Sequence, residues 1–138
     1  MKLSTRVRYG VRALIELAKQ DNGQPMSLRE IARRQEISPK YLEQMISSLK
    51  NAGLVRSVRG AEGGYRLGRS AEQISVWDIY SVLDIAATSI DCIPSPCDRI
   101  KHCGVREVWS DLYEAIADVL KRHTIAELAK REIKMETQ

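Results

Sequence analysis

The sequence lacks the features that identify several common classes of protein. It has no run approaching the roughly 20 apolar residues that a membrane-spanning helix needs. Its three cysteines are too few, and odd in number, for a disulfide scaffold. No nucleophile–base arrangement or nucleotide-binding glycine loop supports catalysis. Phenylalanine is absent, so aromatic anchoring depends on five Tyr and two Trp. We therefore expect a soluble, non-enzymatic protein with no membrane partner.

The first twenty residues have a basic start but no uninterrupted apolar core. Arg12, Glu16 and Lys19 break the apolar stretch, and this pattern does not fit a signal peptide. We therefore expect the protein in the cytoplasm, where thiols stay reduced and clustered cysteines serve as ligands or redox groups.

Charge is distributed unevenly along the chain. Residues 1–69 contain 14 Lys and Arg against 6 Asp and Glu, whereas residues 70–138 contain 8 against 12. The net charge of +4 therefore combines a basic first half with an acidic second half. The basic half is the candidate for binding a polyanion, although charge alone also fits an ordinary solvated face.

Apolar periodicity and capping residues predict a mainly α-helical fold. The expected helices span about 5–20, 28–35, 39–52, 76–85, 104–121 and 125–131. Ser27 and Glu30 form a predicted capping box at the second helix, and Ser38 with Pro39 opens the third. The last five residues are expected to be frayed.

Two short alternating segments, Leu54–Val58 and Tyr65–Leu67, predict a β-hairpin with a basic, glycine-rich tip. The second and third helices before it predict a helix-turn-helix, in which Ala32 allows the close approach of the two helices. Glu36 occupies the turn position that often holds glycine. Helix-turn-helix followed directly by a basic wing predicts a winged helix-turn-helix that binds DNA.

The exposed face of the third helix supplies the candidate DNA contacts. Glu43 can accept from cytosine and Gln44 can pair with adenine, while Arg59 at the wing tip suits a minor groove. The other members of this face and the phosphate candidates are Ser38, Lys40, Tyr41, Ser47, Ser48, Arg6, Arg8, Arg29, Arg56 and Arg66. An ordinary polar helix face is the alternative for each residue taken alone.

All three cysteines, Cys92, Cys97 and Cys103, lie within twelve residues. Core cysteines scatter with the core, so this clustering favours convergence on one metal centre. Three thiolates form a soft donor set that suits an iron–sulfur cluster, zinc or Cu(I), and metal-free thiols remain the alternative.

The chain resembles a known family, the iron–sulfur-associated winged-helix transcription regulators that include IscR, NsrR, RirA and CymR. The resemblance rests on the segments MKLSTRVRYGVRAL, ISPKYLEQMISSLKNAGLV, SVRGAEGGYRLG and CGVREVW, and it covers essentially the whole chain. It implies a homodimer whose two copies are joined by the long helix near residues 104–123. The two winged helices of this dimer would read a palindromic site on double-stranded DNA. In the cluster-binding members it also implies a 2Fe–2S or 4Fe–4S cluster on the three cysteines.

The sequence departs from that family at the fourth ligand. Arg106 stands where one branch has His, and Arg8 stands where another has an acidic residue; a guanidinium stays protonated and does not ligate. The spacing between the first two cysteines is also shorter than the commoner one. Glu107 and His102 are the main remaining candidates for a fourth ligand, and Asp91 and Asp98 are further ones.

The sequence therefore predicts three regions. Residues 1–85 form the winged helix-turn-helix, 86–103 the cysteine-containing cluster loop, and 104–138 the dimerisation helix and a C-terminal helix. The predicted function is a homodimeric transcriptional regulator that senses iron–sulfur cluster, iron, redox or nitric oxide status. The alternative is a cluster-less winged-helix repressor of the cysteine-metabolism type, controlled by a protein partner or by thiol oxidation. An iron–sulfur electron carrier would not need the basic wing.

Overall fold

A computed structural model describes residues 3–84 and 97–138 of the chain. Ile85, which we expected to end the fourth helix, and Cys92 lie outside these ranges. Within them, the α-helices and strands are α1 (Thr5–Ala18), α2 (Leu28–Gln35), α3 (Pro39–Asn51), β1 (Val55–Val58), β2 (Gly64–Leu67), α4 (Val76–Leu83), α5 (Arg106–Arg122) and α6 (Ile125–Glu136). Short 3₁₀ helices occur at Asp21–Gly23, Ala71–Gln73 and Ile100–His102. The mainly α prediction with one hairpin is confirmed, and none of these helices is long and apolar enough to cross a membrane.

The core forms around α1, which contacts α2, α3, α4, α6 and β2. Leu14 of α1, Ile31 of α2, Leu42 of α3 and Ile79 of α4 are completely buried together. Gly10 of α1 allows this packing, because a Cβ there would lie 2.2 Å from the side chain of Leu83. Burial of these side chains is the main free-energy gain that holds α3 and its exposed face in position.

Capping residues set where the helices begin. Side chains at the N-cap accept a backbone N–H in α1, α2, α3, α4 and α6, from Ser4, Ser27, Ser38, Ser75 and Thr124. The capping box expected at α2 forms only in part, because the Glu30 carboxylate binds Arg33 and Arg34. The complete box lies at α4, where Ser75 and Asp78 cap each other.

The hairpin is antiparallel, with Val55 opposite Leu67 and Arg56 opposite Arg66. Tyr65 also bonds to the backbone of Met26, with N···O distances of 2.9 and 2.8 Å, so the segment before α2 lies along the hairpin edge. Gly64 permits this contact: its φ is +153°, and a Cβ there would lie 2.4 Å from the Met26 carbonyl oxygen. The wing is thereby fastened to the start of the helix-turn-helix.

The expectation of a frayed C-terminus is wrong, because α6 continues to Glu136. Ala126 and Ala129 of α6 are buried, and the helix packs on α1. Its start is fixed by two backbone hydrogen bonds, from Val76 N to His123 O at 2.9 Å and from Ile125 N to Ile74 O at 2.8 Å. Tertiary contacts therefore hold a segment whose local sequence alone does not predict order.

Candidate nucleic-acid interface and cysteine segment

The turn between α2 and α3 has the backbone geometry of a helix-turn-helix. Glu36 has φ +53° and ψ +45°, the left-handed conformation that glycine adopts most readily. Ile37 N then donates to Ala32 O at 3.0 Å, which closes the end of α2. Ala32 and Ile37 are buried, as expected for residues that lock the two helices together.

The third helix has one buried face and one exposed face. Leu42, Met45, Ile46 and Leu49 are buried. Along the opposite face, the candidate base and phosphate contacts Ser38, Lys40, Glu43, Gln44 and Ser47 are exposed. Ser38, Lys40, Glu43 and Gln44 thus lie in or just before the N-terminal half of α3, the part of a recognition helix that meets base edges, and Ser47 lies one turn further along.

Tyr41 differs from its neighbours on α3. It is half-buried, and its ring lies edge-on to that of Tyr9, with centroids 6.1 Å apart. Arg12 in turn lies 5.2 Å above the Tyr9 ring. Tyr41 was expected on the exposed face of this helix; the structure leaves it only partly exposed, and its ring contributes to the packing of α3 on α1.

The wing projects a single arginine at its tip. Arg59 is exposed, and the turn after it is closed by a hydrogen bond from Gly63 N to Gly60 O at 3.0 Å. Arg29 and Arg8 are also exposed, although Arg8 donates to Thr5 Oγ1 at 3.3 Å. Arg6 is half-buried and donates to Leu83 O at 3.4 Å, so it contributes to helix packing.

Part of the basic charge on α2 is compensated within the helix. Glu30 accepts from Arg33 at 2.9 and 2.7 Å and from Arg34 at 2.8 Å. Hydrogen bonds to Arg33 and then Arg34 lower the pKa of Glu30 to about 2. The carboxylate is therefore charged at neutral pH, and these two arginines are less available to a polyanion than Arg29.

A buried carboxylate, which sequence reasoning missed, orients α2 against α1. Glu16 is only 4% exposed. It accepts from Gln35 Nε2 at 2.6 Å and lies 3.4 Å from Arg34 and 3.3 Å from Lys19. Gln35 is also held by Arg12, through its side chain at 2.6 Å and its carbonyl at 2.7 Å. The sequence does contain a signal for this burial, because Glu16 lies between the apolar residues Ile15 and Leu17 of α1.

The long helix α5 has two differently used faces. Tyr113 lies edge-on to Trp77 of α4, with centroids 5.9 Å apart, and Ala117 is buried. The other face carries an apolar stripe that is between 41 and 55% exposed at Val105, Val108, Leu112 and Val119. Beside it lies an apolar cavity of about 280 Å³, lined by Leu3, Ala115, Ile116, Val119 and Leu120. Within the described chain this stripe has no covering element.

Two of the three cysteines lie just ahead of α5. Cys97 and Cys103 are half-buried free thiols on either side of the 3₁₀ helix Ile100–His102. Ile100 N donates to Cys97 O at 3.0 Å, and Arg106 N donates to Cys103 O at 3.4 Å. The backbone at Cys103 is thus hydrogen-bonded to the first residue of α5.

The donor chemistry of this segment fits a soft metal or an iron–sulfur cluster. Among residues 3–84 and 97–138, no three His, Cys, Asp or Glu side chains form a group that could hold a metal ion. The three-thiol donor set requires Cys92, which lies outside the described residues. His102 and Glu107, the candidate fourth ligands, are both exposed, and Glu107 stands in the first turn of α5.

Comparison with known proteins agrees with this architecture. Residues 3–131 match the family model "Rrf2: Iron-dependent Transcriptional regulator". Protein rrf2 of Nitratidesulfovibrio vulgaris is 39% identical over 132 residues, which are 94% of this chain and 88% of that protein. The structure is also similar to CymR, the global cysteine regulator of B. subtilis (TM-score 0.78, 40% identity, 95% and 98% of the two chains). T. potens IscR gives a TM-score of 0.79 at 39% identity, over 96% of this chain and 88% of that one.

Proposed function

Because this chain belongs to the Rrf2 family of transcriptional regulators, and not to a family of enzymes, we propose that it is a homodimeric DNA-binding regulator that senses iron–sulfur cluster or iron status through Cys92, Cys97 and Cys103. One observation carries this proposal: the cysteine segment connects by backbone hydrogen bonding to α5, the helix that bears the uncovered apolar stripe. A change at the thiols can thus reach the helix that would join two copies.

The DNA-reading part of the proposal rests on the exposed face of α3 and on the wing. Glu43 and Gln44 read base edges, and Arg59 enters a minor groove. The remaining contacts position the protein on the phosphate backbone. They come from Arg8, Arg29, Ser38, Lys40, Tyr41 and Arg56.

Two copies joined along α5 would present two recognition helices to a palindromic operator. Val105, Val108, Leu112, Ile116 and Val119 recur at intervals of three and four residues, the spacing of a helix–helix seam. Ile116 is half-buried and the other four are exposed. A continuous exposed apolar stripe of this kind favours burial against a second copy of the chain.

The thiols would act through the first turn of α5. When bound, an iron–sulfur cluster supplies a centre whose presence and oxidation state vary with iron supply and redox conditions. Ligation at Cys103 would fix the carbonyl that accepts from Arg106 N, and thereby the start of α5. Because Tyr113 of α5 packs on Trp77 of α4, a shift in α5 biases the position of the winged helix-turn-helix.

A cluster-less regulator is the second candidate. It is favoured by the 40% identity to CymR, the global cysteine regulator of B. subtilis, and by the two free thiols of Cys97 and Cys103. In that case thiol oxidation or a protein partner would set DNA affinity. Iron and acid-labile sulfide content, together with the visible absorption of anaerobically isolated protein, separate the two candidates.

Random-site selection tests DNA reading directly. The chain, isolated anaerobically with iron and separately without it, should enrich a palindromic sequence in at least one state. Affinity should fall steeply with salt, because phosphate contacts release counterions. Arg59→Ala should weaken binding, whereas Arg131→Ala, at an exposed position of α6, should not. Failure of both forms to enrich any sequence would overturn this function.

A further inference from the structure

A second basic site lies at the opposite end of the hairpin from the wing tip. A cavity of about 360 Å³ is bounded by the C-terminal end of α1 and by the chain that leaves β2. Its lining includes Leu17 and Ala18 of α1 together with Arg56, Arg66 and Arg69. Its volume falls in the range of small-molecule sites and exceeds what a single water molecule needs.

The charged side chains that the structure describes in this cavity are basic. Among the lining residues whose side chains are described, three are arginines and none is acidic. Arg69 lies 3.5 Å from Asp78, whose carboxylate also caps α4 by accepting from Ser75 N at 2.9 Å. Within the described residues, no ion pair involves Arg56 or Arg66. The cavity therefore holds an excess of positive charge.

The register of the hairpin brings two of these charges together. Arg56 and Arg66 are directly opposed across β1 and β2, so their side chains leave the same face of the hairpin. Like charges opposite each other destabilise a strand pair unless a counter-ion lies between them. An oxyanion bound by both guanidinium groups removes this repulsion and gains charge-assisted hydrogen bonds.

We propose that the cavity binds the phosphate group of a small free ligand, held by Arg56, Arg66 and Arg69, with its remaining atoms against Leu17 and Ala18. Planar guanidinium groups suit phosphate oxygens, and the apolar wall leaves room for an attached organic group. Such a ligand would connect α1, the hairpin and the segment that leads to α4. It would therefore stabilise the winged helix-turn-helix as a unit.

A DNA backbone phosphate is the other source of the same chemistry. Arg56 of β1 lies three residues before Arg59 at the wing tip, which corresponds to roughly 10 Å at about 3.3 Å per residue. Arg56 is therefore close enough to the tip to contact the same DNA backbone. Arg69 separates the two sources, because it lines the cavity but is not among the candidate DNA contacts named above, whereas Arg56 and Arg66 are.

Calorimetric titration of the full-length protein with inorganic phosphate, against sodium chloride at matched ionic strength, tests the site. Saturable binding is expected, and Arg66→Gln and Arg69→Gln should each weaken it by about tenfold or more, since each removes a charge-assisted contact. Arg131→Gln, at an exposed position of α6, should bind phosphate like the wild type.

Operator affinity provides the second arm of the test. Arg69→Gln, at a residue that lines the cavity but is not a candidate DNA contact, is expected to leave it within about twofold of wild type, whereas Arg59→Gln lowers it. Absence of phosphate binding above the chloride control would overturn the proposal. So would binding that survives both Arg66→Gln and Arg69→Gln. If phosphate does not bind and Arg69→Gln weakens DNA binding as strongly as Arg59→Gln, the cavity serves the DNA backbone instead.

Discussion

Lys19, at the C-cap of α1, forms an ion pair with Glu136 in the last turn of α6, with Nζ 2.5 Å from Oε1. The same ammonium lies 3.4 Å from Glu132 and 3.3 Å from the buried carboxylate of Glu16. Its side chain is only 10% exposed. One lysine therefore joins the end of the chain to the acid that orients the helix-turn-helix.

Lys19→Ala should lower the free energy of unfolding by about 1–3 kcal/mol, because buried Glu16 loses a cationic partner. The matched control is Lys130→Ala, which removes an exposed lysine of α6 and should change stability by less than about 0.5 kcal/mol. Urea unfolding followed by circular dichroism measures both. Equal effects of the two substitutions would contradict a stabilising role for the ion pairs of Lys19 with Glu16, Glu132 and Glu136, which we call the Lys19 cluster.

The Lys19 cluster should also have an alkaline pH dependence. Burial alone would lower the pKa of Lys19, but the hydrogen bond to Glu136 and the charge of Glu16 outweigh it, and the pKa is raised above 10.5. Since the folded-state pKa exceeds the unfolded-state value, the stabilisation is present below about pH 10.4 and is lost as pH rises through the folded-state value. The stability difference between wild type and Lys19→Ala should be constant from about pH 7 to 9 and shrink above that window.

Two positions with positive φ at helix ends, Glu36 and Gly53, allow substitutions that should change stability in opposite directions. Glu36 and Gly53 both follow a helix with positive φ, +53° and +78° respectively. Glu36→Gly should stabilise the protein by about 0.5–1 kcal/mol, because it removes the cost of a side chain in the left-handed region. Gly53→Ala should destabilise it by about 1 kcal/mol, and by backbone strain alone, since a Cβ there would meet nothing within 4 Å. Thermal unfolding midpoints that move in the same direction would contradict this account.

Local signals in the sequence were sufficient to predict the helices and the hairpin. Ser27, Ser38 and Ser75 precede apolar runs of helical period, and each caps the expected helix. The glycine-rich tip separates two alternating segments, which pair as expected. The exposed face of α3 also followed from periodicity, because its buried residues recur every three or four positions.

Features that depend on contacts between distant segments could not be predicted in this way. The order of α6 beyond residue 131 depends on Lys19, more than 110 positions earlier. The role of Glu16 depends on Gln35 and Arg34, and the arginine cavity depends on the hairpin register together with the end of α1. No local periodicity encodes these relationships, since each arises only after the helices have packed.

The apolar stripe on α5 predicts a dimer, and a charged side chain introduced into the stripe should weaken that dimer. Leu112→Glu places a carboxylate in the middle of the stripe, and burying it without a partner should cost several kcal/mol per dimer. The dissociation constant measured by sedimentation equilibrium should rise at least about tenfold. Lys130→Gln makes the same change in net charge at an exposed position of α6 and should leave the dissociation constant unaltered. A monomeric wild type at micromolar concentration would contradict the dimer.

The cysteine segment predicts a coloured protein. After anaerobic isolation with ample iron, the chain should show visible charge-transfer absorption, with acid-labile sulfide in proportion to iron. Alanine at Cys92, Cys97 or Cys103 should each abolish the colour. Because Cys97 and Cys103 lie outside the buried core cluster, these two variants should keep the far-ultraviolet circular dichroism of the wild type and the unfolding midpoint of the cluster-free wild type.

Glu107→Gln and His102→Ala should act differently from the cysteine variants. At most one of these exposed side chains completes the ligand set, so each should retain at least part of the absorption, and a shift in the spectrum of one alone would identify the fourth ligand. Thiolates are stronger ligands for iron than a carboxylate or an imidazole here, because sulfur matches the softness of the cluster. Colourless protein with three titratable thiols after reconstitution would contradict the cluster and favour regulation by the thiols themselves. Operator affinity that then changes on oxidation, and is restored by a reductant, would place the signal at the same segment ahead of α5.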